Sequence, residues 1–213
     1  MISKHLNKYF LNYSIILFVI CSYVLYLAFN KKGLEIYYII VAVISILGFT
    51  KYSITKDLGL SFKPFKDKTF YFYQIPVIIL SNLILFLILR NSMVSEVQDS
   101  NKNPFSLLLL GFFFFSSIRT FGEEFIFRAI LLFKDFKRNN LFFWGLNFIQ
   151  AFLFSLIHYY IADDLTSRIV FTVYVFFLSV YFGWLNRKFN SLIPSWTIHW
   201  MNGLQTLIMA IIF

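Results

Sequence analysis

The chain has 213 residues, of which 59% are hydrophobic and only 14% are charged. A soluble domain of this size carries far more charge, so this composition excludes that class and predicts an integral membrane protein. The formal net charge of +9 would favour a nucleic-acid partner in a soluble protein. Here the basic residues lie mainly in short loops between apolar runs, so the expected partners are membrane lipids and no nucleic acid.

Seven apolar segments are long enough, or nearly long enough, to cross a bilayer, which takes about 20 apolar residues in a helix. They are 9–29, 35–50, 70–89, 105–133, 141–161, 168–186 and 192–213. The second is short and compatible with a re-entrant segment, whereas the fourth is too long for a straight span. The longest connections, 51–69 and 90–104, are expected to be loops. The chain is therefore predicted to be a single all-α membrane domain, 1–213, with about seven transmembrane helices.

Basic residues fall unevenly on the two sides of such a bundle. Of the 19 Lys and Arg residues, 12 lie on the side of the N-terminus and five on the opposite side. The remaining two, Arg119 and Arg128, lie within the fourth segment. Cytoplasmic loops of membrane proteins carry an excess of Lys and Arg. The distribution therefore predicts a multi-pass protein of the cell membrane with its N-terminus in the cytoplasm.

The fourth segment carries charged residues within an otherwise apolar run: Arg119, Glu123, Glu124 and Arg128. One charge near a bilayer centre costs roughly 2.5 to 3.5 kcal/mol even on lenient insertion scales. Residues four apart share a helix face, so Glu124 is expected to pair with Arg128, and Arg119 with Glu123. Two such pairs would by themselves permit insertion, but apolar residues would serve insertion better. We therefore interpret Glu124–Arg128 as a structural pair and Glu123 as a group that acts on water.

Two histidines lie in other spans. His158 continues a polar stripe that runs through Asn147 and Gln150 in the fifth segment, and His199 precedes Asn202 in the last. A single histidine in a membrane helix is more often a hydrogen-bonded packing residue. Two of them, with a pair of glutamates on a third helix, instead indicate a functional site.

A carboxylate with two neutral imidazoles supports two chemistries. Glu123, His158 and His199 would bind a divalent metal such as zinc, which activates water. Without metal, the same groups would act as a general base and as oxyanion donors. Both routes lead to hydrolysis of an acyl bond. The single-helix zinc-protease run His-Glu-x-x-His and the serine-hydrolase run Gly-x-Ser-x-Gly are absent from the sequence.

Three short motifs resemble those of the CAAX protease and bacteriocin-processing (CPBP) intramembrane proteases, which include the type II prenyl endopeptidases. Glu-Glu-x-x-x-Arg is matched by residues 123–128, and Phe-x-x-x-His by residues 154–158. The third motif is a His followed four residues later by Asn. Here His199 is followed by Asn202 at the third position, which shifts the amide by about 1.5 Å along the helix axis and about 100° around it. The resemblance covers 105–213, the expected catalytic region.

The resemblance implies a helical bundle with a polar cavity inside the membrane. Glu123 and His158 would activate the attacking water, and His199 and Asn202 would stabilise the oxyanion. Glu124 would support the site together with Arg128. Counted from the segment midpoints, however, Glu123 and His158 differ in depth by about 15 Å. A shift, tilt or break of a helix is therefore required, and Gly122 is where we expect it.

The predicted function is intramembrane cleavage of a membrane-associated peptide, such as a lipidated or CAAX-like protein or a leader-bearing bacteriocin or pheromone precursor. Family members have been described both as metalloproteases and as metal-independent glutamate proteases, so the cofactor stays open. The Phe-, Ile-, Lys- and Asn-rich composition favours a bacterial source. Two alternatives remain: a non-catalytic immunity or scaffold protein with the same fold, which the displaced Asn202 would favour, and a small proton-coupled transporter.

Overall fold

A computed structural model of the chain describes residues 61–100, 116–117, 119–130, 132, 140–159 and 164–202. Every regular element among these residues is helical, which confirms the all-α prediction for the described part of the chain. The predicted spans 9–29 and 35–50 lie outside the described residues. The predicted count of seven helices therefore stays a prediction.

Five helices form the described part of the bundle. They are α1, Lys68–Ser100; α2, helical over 119–124 and continuing as a π-helix over Phe125–Ile130; α3, Asn140–Ile157; α4, Leu165–Phe189; and α5, Ile193–Asn202. A 3-10 turn, Lys63–Lys66, precedes α1. Three stretches are long and apolar enough to cross a membrane: Lys68–Ile88, Asn140–Ile157 and Leu165–Phe189. These agree with the predicted spans 70–89, 141–161 and 168–186.

The predicted loop 90–104 is wrong over its first part, because α1 continues to Ser100. Residues 90–100 are mostly polar and contain neither proline nor glycine. Polar residues mark where an apolar span ends, but they do not end a helix unless the backbone is interrupted. The change from apolar to polar residues near position 90 therefore marked the end of the apolar span and not the end of the helix.

The turn between α4 and α5 sets the position of the last helix. Asn190 ends α4 in the left-handed conformation, with φ of 48°, a conformation that asparagine adopts more readily than most residues. Asn186 in the last turn of α4 reaches across to Ser195 in α5. Its side chain donates to the Ser195 hydroxyl over 2.7 Å and accepts from the Ser195 backbone N–H over 3.2 Å. These two bonds fix the start of α5 against the end of α4.

The bundle is closed by α1, which packs against both of these helices. The Gln74 side chain donates to the Pro194 carbonyl over 2.8 Å, and the Tyr181 hydroxyl donates to the Tyr73 carbonyl over 2.9 Å. On the outside, large apolar side chains such as Leu87 of α1 are exposed. Exposed apolar residues on membrane-length helices are typical of lipid-facing surfaces.

Candidate active site

The two adjacent glutamates are fully buried at the end of the α-helical part of α2. The π-helix Phe125–Ile130 begins directly after Glu124. A π-turn adds a residue to the helical repeat, rotates the following side chains and occurs often at functional sites. The structure therefore places the predicted irregularity three residues beyond Gly122, which itself lies in regular helix.

Both predicted ion pairs of α2 are present. Nη1 of Arg128 lies 2.8 Å from Oε1 of Glu124, and Nε of Arg119 lies 3.8 Å from Oε1 of Glu123. The Arg128 side chain is completely buried, whereas that of Arg119 is 33% exposed. Because the Arg128 charge is removed from solvent, its interaction with Glu124 is not screened by water. The Glu124–Arg128 pair is thus a fixed internal element of the site.

His199 lies between the two carboxylates. Its Nδ1 is 2.9 Å from Oε1 of Glu124, and its Nε2 is 3.4 Å from Oε2 of Glu123. An ionised carboxylate only accepts hydrogen bonds, and the Arg128 cation stabilises the ionised form of Glu124. Nδ1 of His199 therefore carries a hydrogen atom and donates a hydrogen bond to Glu124. This leaves Nε2 facing Glu123.

His158 follows α3 directly and is 8% exposed. Its Nδ1 lies 2.8 Å from the Phe154 carbonyl oxygen. Because a carbonyl oxygen only accepts, Nδ1 carries the proton, and Nε2 of the neutral ring keeps a lone pair. The hydrogen bond thus leaves the nitrogen lone pair available for a proton, a water molecule or a metal ion.

Glu123, His158 and His199 form one cluster. Each offers one carboxylate oxygen or ring nitrogen such that these atoms lie within 4.8 Å of one another. The depth difference of about 15 Å, counted from segment midpoints, is therefore wrong for Glu123 and His158. The estimate aligned the midpoints of two segments at one depth, whereas helix offset, tilt and the π-turn decide where their side chains meet.

The donor set fits a divalent metal ion. Three protein ligands of the Glu/His₂ type are the number and kind that catalytic zinc sites use. Within the described part of the chain, neither oxygen of the buried Glu123 carboxylate has a hydrogen-bond partner. The Nδ1–H of His199 is held by Glu124, an arrangement typical of histidines that bind a metal through Nε2. When bound, such an ion would polarise a carbonyl group and lower the pKa of a water molecule.

Phe154 has a role that the motif alone did not reveal. Its ring centroid lies 4.2 Å from Cζ of Arg128, 4.5 Å from the ring of His158 and 5.6 Å from that of His199. Its carbonyl oxygen also accepts from His158. One residue thus covers the buried guanidinium with its ring and orients an imidazole with its backbone carbonyl, and both contacts depend on the spacing of four residues.

Asn202 at the end of α5 is connected to α1. Its Oδ1 accepts a hydrogen bond of 2.5 Å from the hydroxyl of Ser81. An oxyanion needs a donor, and the donor of Asn202 is its carboxamide nitrogen, on the other branch of the amide. The contact with Ser81 thus fixes the amide through its oxygen. The role of Asn202 as an oxyanion donor stays a prediction.

One residue of the site was not found by motif analysis. Ser179 of α4 is fully buried, and its hydroxyl accepts a hydrogen bond of 2.5 Å from Nη2 of Arg128. A serine inside an apolar span is a weak signal, because such residues commonly bond to neighbouring helices. The contact with Arg128, which follows from the packing of α4 against α2, is what identifies Ser179.

Residues 104–204 match the family model described as type II CAAX prenyl endopeptidase, Rce1-like. The matched region contains all six candidate residues and nearly coincides with the region of motif resemblance, 105–213. No curated protein and no solved structure matches the chain significantly. The family model confirms the resemblance inferred from the three motifs.

Proposed function

Because residues 104–204 match the Rce1-like type II CAAX prenyl endopeptidase model, we propose that the chain is an intramembrane endopeptidase of the CPBP family. Its substrate would be a membrane-associated peptide that carries a lipid or an apolar leader. The observation that carries the proposal is the cluster of Glu123, His158 and His199, whose ligand atoms lie within 4.8 Å of one another. A buried base beside two imidazoles is suited to activate water.

The first step is attack of water on the scissile carbonyl carbon. Glu123 removes a proton from the water while the new C–O bond forms, and negative charge develops on the carbonyl oxygen. Collapse of the tetrahedral intermediate breaks the C–N bond. The proton held by Glu123 passes to the leaving nitrogen, so the immediate products are a carboxylic acid and an amine. The acid then gives its remaining proton to the amine, which yields a carboxylate and an ammonium group. Burial of Glu123 keeps bulk water from competing for that proton.

The two histidines hold the reacting groups. The lone pair on Nε2 of His158 accepts from the attacking water and orients it, because Nδ1 of the same ring is bonded to Phe154. His199 is held through Nδ1 by Glu124, which directs Nε2 toward Glu123. In the metal-independent route, a protonated Nε2 of His199 donates to the developing oxyanion together with the Asn202 amide.

In the metal-dependent route, Glu123, His158 and His199 would hold the ion. Glu124 then keeps Nε2 of His199 available by accepting from Nδ1–H, and the Phe154 carbonyl does the same for His158. The hydrogen bonds from His199 to Glu124 and from His158 to the Phe154 carbonyl therefore serve both routes.

We place the basic end of the described bundle in the cytoplasm. Lys188, near the end of α4, donates to the Tyr73 hydroxyl over 3.1 Å, so the end of α4 lies beside the start of α1. Lys63 and Lys66 precede α1 on the same side. Because cytoplasmic ends of membrane proteins are rich in Lys and Arg, this placement also puts the start of α4 outside.

The proposal is tested by incubating purified protein in liposomes with three peptide probes: a C-terminally prenylated peptide, an apolar leader peptide and a soluble peptide of similar length. Products are identified by mass spectrometry. Wild type is expected to cleave a membrane-associated probe, and Glu123→Gln should be slower by at least about 100-fold, as expected for a lost general base.

Asp67→Asn is the matched control, because it makes the same chemical change in an exposed carboxylate before α1. It should cleave at the wild-type rate. Binding of a probe without cleavage by folded wild type would instead favour the immunity or scaffold alternative. Equal rates for wild type and Glu123→Gln would refute the assignment of the base.

A further inference from the structure

Arg128 is the origin of a buried hydrogen-bond chain that leaves the catalytic cluster. Its Nη2 donates to the Ser179 hydroxyl over 2.5 Å, and that hydroxyl donates to Oε1 of Gln150 over 3.4 Å. Nε2 of Gln150 donates to Oδ1 of Asn147 over 2.9 Å. Nδ2 of Asn147 then donates to the Val180 carbonyl over 2.9 Å. All donors point in one direction, from the arginine toward α3 and back to α4.

The side chains that form this hydrogen-bond chain are inaccessible to solvent. Arg128, Ser179 and Asn147 are fully buried, and Gln150 is 1% exposed. A buried polar group without a partner costs free energy, so a complete chain of this kind specifies one arrangement of its members. Because the members come from α2, α3 and α4, the chain fixes these three helices relative to one another.

Gly183 leaves room for the carboxamide group of Asn147, the last side chain of the hydrogen-bond chain. A Cβ atom at this position would overlap the carboxamide group of Asn147. Every other residue would therefore displace Asn147 or separate α3 from α4. The glycine is needed for close approach, and its absence would be transmitted along the chain toward Arg128.

The hydrogen bonds of the chain reach the cluster at one carboxylate oxygen of Glu124. Oε1 of Glu124 accepts from Nη1 of Arg128 over 2.8 Å and from Nδ1 of His199 over 2.9 Å. A displaced guanidinium therefore changes the position of the acceptor that holds His199. In a preorganised site, a misplacement on the order of 1 Å costs about 100-fold in rate.

We propose that Ser179, Gln150 and Asn147, with Gly183 as the space they require, form a positioning relay that holds His199 in its reactive orientation through Arg128 and Glu124. In the described part of the chain, none of the four residues makes a hydrogen bond to Glu123, His158 or His199. The inference rests on the proposed peptidase function for its effect on rate, but the physical coupling it asserts is measurable without turnover.

Ser179→Ala removes the acceptor for Arg128, and Ser155→Ala is its matched control. Ser155 is also buried, but its hydroxyl donates to the Phe152 carbonyl of its own helix over 2.8 Å. Ser179→Ala is expected to lower kcat by about 10- to 100-fold, which is the usual loss when a residue that orients an active-site group is removed. KM should change by less than about twofold. Equal kcat values for the two variants would overturn the relay.

A double-mutant cycle with Glu124→Gln separates positioning from general destabilisation. If Ser179 acts through Arg128 and Glu124, adding Ser179→Ala to Glu124→Gln lowers kcat and the melting temperature less than it does in wild type. Ser155→Ala should add independently in both backgrounds. Additive losses for Ser179→Ala in both measurements would contradict the inference.

Asn147→Ala keeps the test decisive if Ser179→Ala does not fold. Asn147 lies three hydrogen bonds from Arg128 along the chain, so this variant is expected to lower kcat in the same direction by a smaller factor. A wild-type rate for folded Asn147→Ala would overturn the relay. Absence of turnover in wild type would refute the proposed function, and the melting-temperature cycle would then decide on the relay alone.

Discussion

Nδ1 of His199 lies 2.9 Å from Oε1 of Glu124, and this contact joins the last described helix to the charged pair of α2. The glutamate that neutralises Arg128 thus also orients an imidazole of the cluster. A histidine whose Nδ1–H is held by a carboxylate has a fixed tautomer and a fixed ring orientation. Glu124 therefore connects charge compensation with reactivity.

His158→Ala should abolish cleavage while the protein stays folded. The ring contributes Nε2 to the cluster, and its loss is expected to lower the rate by about 100- to 10,000-fold, as for other acid–base groups. Turnover of lipidated peptide and the melting temperature in detergent are measured together. Near wild-type turnover would remove His158 from the cluster's function.

Arg128→Met should lower thermal stability strongly, because it leaves Glu124 charged and buried without its partner. Breaking one side of a buried pair costs on the order of 3–5 kcal/mol. The exposed bond of Arg187 with Asn140 provides a comparison, and Arg187→Met should have a much smaller effect.

The double variant Glu124→Leu/Arg128→Met should melt at a higher temperature than Arg128→Met, because no uncompensated charge is left. It should nevertheless be inactive, since His199 loses its acceptor. A double variant less stable than the single one would mean that other contacts of Glu124 dominate.

Asn202→Ala should lower turnover by roughly 100- to 1000-fold with substrate affinity little changed, if its amide nitrogen donates to the oxyanion. Ser81→Ala is the companion variant, because it removes the bond that fixes the amide oxygen, together with the hydroxyl's contact to the Ile78 carbonyl of its own helix. It should be intermediate in rate. Gly203→Asn restores the family spacing and should recover part of the activity in the Asn202→Ala background.

Retained turnover with a loss of about 1–2 kcal/mol in stability would identify Asn202 as a packing residue instead. His199 would then be the only side chain proposed to hold the oxyanion.

Zn²⁺ should stabilise the purified protein against heat, since the three cluster residues fit its preferred ligands. Binding to the folded state alone at 100 times Kd adds about 2.7 kcal/mol. The shift in melting temperature should be lost in His158→Ala and in His199→Ala but kept in Ser155→Ala. An equal shift in all four proteins would show that zinc binds elsewhere.

Cysteine labelling should verify the orientation. In a Cys21→Ser background, Thr166→Cys places a thiol at the exposed start of α4, and Lys66→Cys places one before α1. An impermeant maleimide should label intact cells at position 166 and not at position 66. The reverse pattern would contradict the cytoplasmic N-terminus.

Local patterns were sufficient for much of the fold and for part of the site. The helical spans follow from runs of apolar residues, and the Glu124–Arg128 pair follows from its i, i+4 spacing, because both depend only on helical geometry. The end of α1 was missed because polarity and helix termination are different properties. The helix irregularity expected at Gly122 was misplaced by three residues, because no residue type specifies the π-turn that begins at Phe125.

The sequence by itself predicted an all-helical membrane protein, with charges inside a span and three motifs that resemble those of one peptidase family, and the described helices agree with this. Only the tertiary structure decided how those motifs meet. His199 and Glu124 are 75 residues apart, and Arg128 and Ser179 are 51 apart. Contacts at such separations depend on the offset, tilt and close approach of whole helices. Spacing along the chain does not encode these properties. They depend on side-chain packing between helices, as at Gly183, where any side chain would overlap Asn147.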